Sequence, residues 1–230
     1  MNLLLIETAT AVCSVALAGG DGILAELHTD QPNAHSSQLS PLIGRLYAMC
    51  GITARQLDAV CVSSGPGSYT GLRIGVSTAK GICYSLGIPL LSVPTLQSMA
   101  SQFYAQHPTY EGMVCPMIDA RRMECYTAFF ASPTDELKPV SADIITPGIY
   151  DTFLDRGEVT FIGDGAEKTR PILGTHPNAR YADNFLISAS GMRTVAMTKL
   201  QQGQTEDVAY FQPYYLKDFV AKKSVVRGLH

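Results

Sequence analysis

Residues 63–81, SSGPGSYTGLRIGVSTAKG, constrain the fold more than any other part of the sequence. They follow an apolar run over 57–62 and pass through Gly65-Pro66-Gly67 into helical spacing, so a strand, a glycine-dense turn and a helix follow in immediate succession. Such a turn gathers backbone N–H groups at a helix N-terminus, where a phosphate or carboxylate is favoured. The first expectation is therefore an anion or nucleotide site on Gly65, Gly67 and Ser68. Two phosphate-binding patterns nearly fit, and both fail at the same place. G-x-x-x-x-G-K-[ST] needs Gly where Thr70 stands, and G-x-G-x-x-G, begun by Gly65 and Gly67, meets Thr70 at its third glycine. These residues point to no particular cofactor.

The flanking segments read as an α/β chain. Three antiparallel strands are expected over 1–7, 12–18 and 23–29, with turn chemistry at Gly19-Gly20-Asp21-Gly22. Over 37–50, Leu39, Ile43, Leu46 and Cys50 form one stripe of an amphipathic helix ended by Gly51, with Pro41 opening it or kinking its first turn. A strand over 57–62, a helix over about 72–86 closed by Gly87 and Pro89, a strand over 89–93 and a helix over 96–106 complete the order β-β-β-α-β-α-β-α. Strands over 114–119, 125–131, 143–146 and 159–163 follow, with helical segments near 148–156, 166–173 and 187–202. The order predicts two α/β lobes, 1–106 and 107–230, joined near His107-Pro108. A basic tail is expected over 217–230, and residues 214–219 can return to the first lobe.

Composition narrows the function. With 46% hydrophobic and 16% charged residues the chain reads as globular, and a partner surface is one explanation of its apolar excess. A net charge of −3 and a pI near 5.9 argue against gripping nucleic acid alone, so any such role is shared with a partner. No apolar run reaches the roughly 18 residues of a membrane span, and the N-terminus lacks the basic region and cleavage site of a signal peptide. The six cysteines form no C-x-x-C pair and sit mostly in apolar runs, as buried reduced thiols of a cytoplasmic protein do. His35 has Leu39, not histidine, four residues on, which gives it no metal-binding partner on that helix. Gly71 and Gly75 lie four apart in the helix after the turn. Interior glycines cost roughly 1 kcal/mol each relative to alanine, so they require either close packing inside this chain or close approach of another helix.

The segments LLIETAT, NAHSSQLSPLI, SSGPGSYTGLRIGVSTAKG, IDARRMECY and FIGDGA, in that order, resemble the bacterial tRNA threonylcarbamoyladenosine biosynthesis family known as TsaB or YeaZ. The resemblance implies a reduced form of the two-lobed fold shared by actin, sugar kinases and the Hsp70 ATPase domain. It implies an accessory, non-catalytic subunit that supports a TsaD-type catalytic subunit together with a TsaE-type ATPase, with homodimers when the partner is absent. tRNA is then met only through the complex, no cofactor is bound by the chain alone, and ATP or ADP belongs at a subunit junction. The implied partner surface comprises His35, Leu39, Ile43 and Leu46 on one helix and Gly71, Leu72, Gly75, Thr78 and Ile82 on the next.

In the larger fold, Glu7, Thr8 and Thr10 fall where the first phosphate loop lies. Asp119 and Arg121 fall at a strand end facing the cleft, and Gly163, Asp164 and Gly165 where the nucleotide loop lies. Each of these sets is equally a turn or a salt-bridge cluster. In the catalytic relative two histidines bind a metal at the spacing of Thr95 and Met99, and neither replaces an imidazole, so no metal centre of that type is expected. The rival readings are an ATP-dependent phosphotransferase of sugar-kinase type using Glu7 and Gly163 to Gly165, and a metallopeptidase, which Thr95 and Met99 argue against.

Overall fold

The computed structural model describes residues 1–29, 31 and 35–217. The basic tail expected over 217–230 lies, beyond Lys217, outside the described residues, as does the end of 214–219.

Two five-stranded sheets carry the chain. The first holds β1 (Leu3–Glu7), β2 (Cys13–Ala18), β3 (Ile23–Thr29), β4 (Ala59–Ser63) and β5 (Leu90–Val93) in the order β3-β2-β1-β4-β5. β1 pairs antiparallel with β2, Glu7 lying opposite Ser14, and parallel with β4, Ile6 lying opposite Val62. That register brings Glu7 and Ser63 to neighbouring strand ends. β1 is apolar without alternation because both sheet faces are covered. Leu4 and Ile6 pack against α1 (His35–Cys50) and α2 (Tyr69–Leu86), while Leu3 and Leu5 pack against Ala189, Met192, Val195 and Ala196.

The second sheet holds β6 (Met113–Asp119), β7 (Glu124–Phe130), β8 (Glu136–Ile144), β9 (Val159–Ile162) and β10 (Ala179–Tyr181) in the order β10-β9-β6-β7-β8. α3 (Thr95–Gln106) covers one face through Leu96, Met99 and Phe103. The short helices α4 (Asp151–Leu154) and α5 (Arg170–Leu173) cover the other, with Tyr150 and Phe129 at its centre. A 3-10 turn, Ala189–Met192, and α6 (Arg193–Gln201) then return to the first sheet. The division expected at 106/107 is thus crossed twice: α3 packs on the second sheet and 189–201 on the first. No described helix is long and apolar enough to cross a membrane.

Several expected elements differ. Pro41 sits inside α1, which begins at His35, so it does not open the helix; it lies on the exposed face. α2 starts at Tyr69 because Ser68 caps it, its side chain accepting from the Gly71 N–H at 3.2 Å. The strand expected at 143–146 is the nine-residue edge strand β8, whose Lys138, Pro139 and shifted register against β7 blur its alternation. The helix expected over 148–156 contracts to the single turn of α4 behind Gly148, which has φ 78°. β10, three residues at an edge, gave no sequence signal.

A polar knot stiffens the β7–β8 pair. Asp143 Oδ2 accepts from Thr127 Oγ1 at 2.7 Å, Tyr150 Oη at 2.7 Å and Lys138 Nζ at 2.9 Å. Burial acts to raise the Asp143 pKa, but these donors outweigh it and hold the carboxyl below its ordinary range. A depressed carboxylate stabilises the fold above its unfolded pKa, and that contribution is lost as pH falls through the folded value. Asp143→Asn is expected to lower unfolding free energy by about 1–3 kcal/mol at neutral pH and to narrow the gap from wild type below about pH 4, measured by denaturant unfolding across pH.

Candidate functional site

The turn between β1 and β2 seats directly on α2. Glu7, at the end of β1, is fully buried, and its Oε1 accepts from the Ala9 N–H at 2.7 Å and from Ser63 Oγ at 2.9 Å. Oε2 has no partner among the described residues, and desolvation pushes the Glu7 pKa up to about 7 against the pull of those hydrogen bonds. Thr8 follows with its hydroxyl buried and likewise unpartnered among the described residues. A Cβ at Gly75 would overlap that hydroxyl, and one at Gly71 would overlap the Thr8 carbonyl. Thr10 closes the turn, its Oγ1 accepting from the Val12 N–H at 3.3 Å.

This arrangement corrects the anion cradle expected on Gly65, Gly67 and Ser68. The Ser68 N–H donates to the Ala9 carbonyl at 2.6 Å, and the Gly65 N–H donates to Thr95 Oγ1 at 3.1 Å. A Cβ at Gly67 would run into the Ala9 carbonyl, so the backbone of the β1–β2 turn fills the space a phosphate would need. The glycines admit the chain's own turn.

Asp119 with Arg121, and the Gly163 to Gly165 turn, expected as two separate sets, lie side by side. Asp119, at the end of β6, accepts the Arg121 N–H at 2.7 Å, and its own N–H donates to Asp164 Oδ1 at 3.0 Å. Gly163, with φ 98°, packs on Met117, and Gly165 on the Ile118–Asp119 backbone. Lys168, which the sequence reading missed, holds the group together. Its Nζ pairs with Asp119 and donates to the carbonyls of Arg122 at 2.8 Å and Glu124 at 2.7 Å. Burial acts to raise the Asp119 pKa, yet Lys168 and the Arg121 N–H bring it down, while burial pushes Asp164 up. The only sequence signal for Lys168 was a cation just after the Gly163-Asp164-Gly165 turn.

Most of the expected partner surface is core. Leu39, Ile43 and Leu46 are buried against the first sheet, Leu72 is buried beside Gly65, and Gly71 and Gly75 are buried against Thr8. Only His35, Thr78 and Ile82 of that set are partly exposed. The correction has a simple cause: an apolar helical stripe faces the largest apolar surface within reach, which is the chain's own sheet. The outer faces of the same helices carry Pro41, Gly44, Arg45 and Met49 on α1 and Ser77, Gly81 and Tyr84 on α2. Met49 is 61% and Tyr84 85% exposed, and a Cβ at Gly44 or Gly81 would meet open space.

Thr95 and Met99 are buried at the base of α3, Thr95 bonded to Gly65 and the Met99 methyl packed against Gly163. Among the described residues no three His, Cys, Asp or Glu side chains gather as a metal-holding group. Beside α3 a crevice of about 240 Å³ opens between the lobes, lined by Gly65, Pro66, Leu96, Phe130, Val140 and Tyr214.

Comparison with known proteins gives this architecture a context. A family model described as "TsaD: tRNA N6-adenosine threonylcarbamoyltransferase" matches residues 22–225. The Escherichia coli K12 tRNA threonylcarbamoyladenosine biosynthesis protein TsaB is 29% identical over 231 residues, covering 98% of each chain. The protein of the same name from Bacillus subtilis 168 is 34% identical over 143 residues, covering 62% of this chain and 61% of that one. YeaZ from Pseudomonas aeruginosa superposes with a TM-score of 0.77 at 25% identity, over 94% of this chain and 99% of that chain. The activator of the 2-hydroxyisocaproyl-CoA dehydratase from Clostridium difficile, solved with ADPNP, shares the fold at a TM-score of 0.50 and 10% identity, over 89% of this chain and 97% of that one.

The seat of the β1–β2 turn generates two expectations. Gly75→Ala is expected to cost about 1–3 kcal/mol, and Thr8→Ala, which removes the overlapping hydroxyl, to restore most of that loss in the double variant, read by a denaturant-unfolding cycle. Glu7 has a raised folded pKa, so its contribution to stability is fully present below about pH 4.5 and is lost as pH rises through about 7. The full span from 4.5 to about 7 corresponds to roughly 3 kcal/mol. Glu7→Gln should flatten that decline, and an unchanged pH slope would show that Glu7 does not titrate in this range.

Proposed function

Since the chain belongs to the TsaD family of tRNA N6-adenosine threonylcarbamoyltransferases, we propose that it is an accessory, non-catalytic subunit in making N6-threonylcarbamoyladenosine on tRNA. It holds a TsaD-type catalytic subunit in its active arrangement and works with a TsaE-type ATPase. The observation that carries this reading is the closed base of α3. Thr95 and Met99, at the spacing of the catalytic relative's metal-binding histidines, are spent on packing and on the Gly65 turn. The filled phosphate space at the N-terminus of α2 supports the same conclusion, because it leaves ATP or ADP to a junction between subunits.

Docking falls to the outer faces of α1 and α2. Small residues at Gly44, Ser77 and Gly81 allow close backbone approach, and Met49 and Tyr84 supply exposed apolar area. The same faces pair two copies of the chain when the partner is absent. Reconstitution with the catalytic subunit, the ATPase, threonylcarbamoyl-adenylate and ATP is the direct test: omitting this chain should abolish tRNA modification, and full activity without it would overturn the reading. Met49→Asp with Tyr84→Asp should leave the melting temperature within a few degrees and weaken co-purification with the catalytic subunit about tenfold or more.

A further inference from the structure

The two helices on the outer side of the first sheet carry no carboxylate. α1, HSSQLSPLIGRLYAMC, and α2, YTGLRIGVSTAKGICYSL, hold the cations Arg45, Arg73 and Lys80 between them, and no Asp or Glu. A helix whose outer face meets only water gains from paired charges of both signs and from acids in its first turn. Neither helix uses either device, in a chain with 20 Asp and Glu residues and a net charge of −3. The three cations differ in their surroundings. Lys80 is engaged within the chain, its Nζ donating to the carbonyls of Ala209 and Phe211, each at 3.0 Å. Arg73 lies 4.2 Å from the Tyr69 ring centroid and donates through Nε to the Tyr215 hydroxyl at 3.2 Å. Arg45 is exposed and joins no ion pair among the described residues. It stands one turn before exposed Met49, so the two share the outer face of α1. The segment that Lys80 holds against α2 brings two carboxylates, and both are already engaged. Glu206 accepts from Ser92 Oγ at 2.5 Å, and Asp207 Oδ1 accepts from the Ala209 and Tyr210 N–H groups at 2.7 and 3.1 Å.

This distribution of charge distinguishes an unlike partner from a second copy. When two copies pair through one face about a two-fold axis, each set of residues meets itself. Arg45 is then covered by helices that hold no carboxylate, and the cost of taking its charge out of water goes uncompensated. A different protein is free to bring the missing acid. We propose that the outer faces of α1 and α2 are built for a partner helix surface that sets a carboxylate against Arg45, so that charge makes this chain prefer the unlike partner to its own copy. Met49 and Tyr84 give the contact its apolar area, and Arg45 gives it selectivity by penalising the wrong pairing. Identification of the acid-bearing partner with the catalytic subunit rests on the function proposed above.

The test measures the affinity of the full chain for the catalytic subunit and for itself, by analytical ultracentrifugation. Arg45→Glu is expected to weaken the mixed pair by about tenfold or more and to leave self-pairing equal or tighter. Arg45→Gln removes the charge without reversing it, and should shift the mixed pair the same way by a smaller factor. Because Arg45 is exposed, both variants should keep the wild-type melting temperature within a few degrees. With Arg45→Lys, a carbodiimide should join the new amine at position 45 to an Asp or Glu of the catalytic subunit in the mixed pair. Equal weakening of both pairs by Arg45→Glu, no change in the mixed pair, or no carbodiimide product between position 45 and the catalytic subunit would overturn the proposal. Met49→Asp with Tyr84→Asp separates this idea from the docking reading beneath it. If that double variant leaves the mixed pair intact, the docking face lies elsewhere and both ideas fall. If it breaks the mixed pair while the Arg45 variants do not, only the selection by charge falls.

Discussion

The contact on which the rest depends is backbone against backbone, at the place where the Thr8–Ala9 turn rests on the first two turns of α2. Gly67, Gly71 and Gly75 let the turn come closer than any side chain would permit. The Ser68 N–H then fastens to the Ala9 carbonyl at 2.6 Å. This seat fixes α2 over β1 and β4, which lets α1 lie beside it and buries Leu4, Ile6 and Val62 beneath both helices. It also buries Glu7, whose raised pKa is the electrostatic cost of a carboxyl sealed under its own turn. The two weakened helix positions are therefore repaid locally, through a packing contact that no larger residue could make.

The seat has a counterpart on the second sheet. Two tight sets of contacts brace the strand ends of the two sheets. The first lobe contributes the turn on α2, and the second contributes the Lys168 knot that ties Asp119 to the β6–β7 hairpin. Nearby, Val12 packs with Leu96, Met99 and Ile118. Burial pushes the Cys13 and Cys125 thiols up to about 11, which removes them as nucleophiles at neutral pH. The outer faces of α1 and α2, with Met49 and Tyr84, stay exposed.

Much of this was legible in the residues, and the exceptions have physical causes. The apolar runs of β1, β2, β4 and β5 and the stripes of α1 and α2 named the first lobe nearly to the residue, because buried strands and amphipathic helices carry strong periodicity. β8 and β10 were illegible or shortened because edge strands carry charges, proline and few residues. The stripe Leu39, Ile43 and Leu46 was correctly read as apolar but assigned to a partner, since periodicity reports which residues want cover and is silent about who supplies it. Gly71 and Gly75 had two explanations on sequence alone, and only the position of Thr8 decides between them. Lys168 carried only the weak signal of a cation just after a turn, because it acts on Asp119, far along the chain.

The two sheets share one strand order, with β3-β2-β1-β4-β5 matched by β8-β7-β6-β9-β10, although no repeat is visible in the sequence. Yet the two units do not stand apart, since α3 leaves the first to cover the second and 189–201 comes back to cover the first. Each half lends the other a wall. A chain severed after residue 106 would leave Leu3, Leu5, Cys61 and Leu91 facing water, and its remainder would lack the helix that shields Val114 and Phe130. The doubled topology is thus tied together by shared cores, in which losing residues 189–201 unroofs one face of β1.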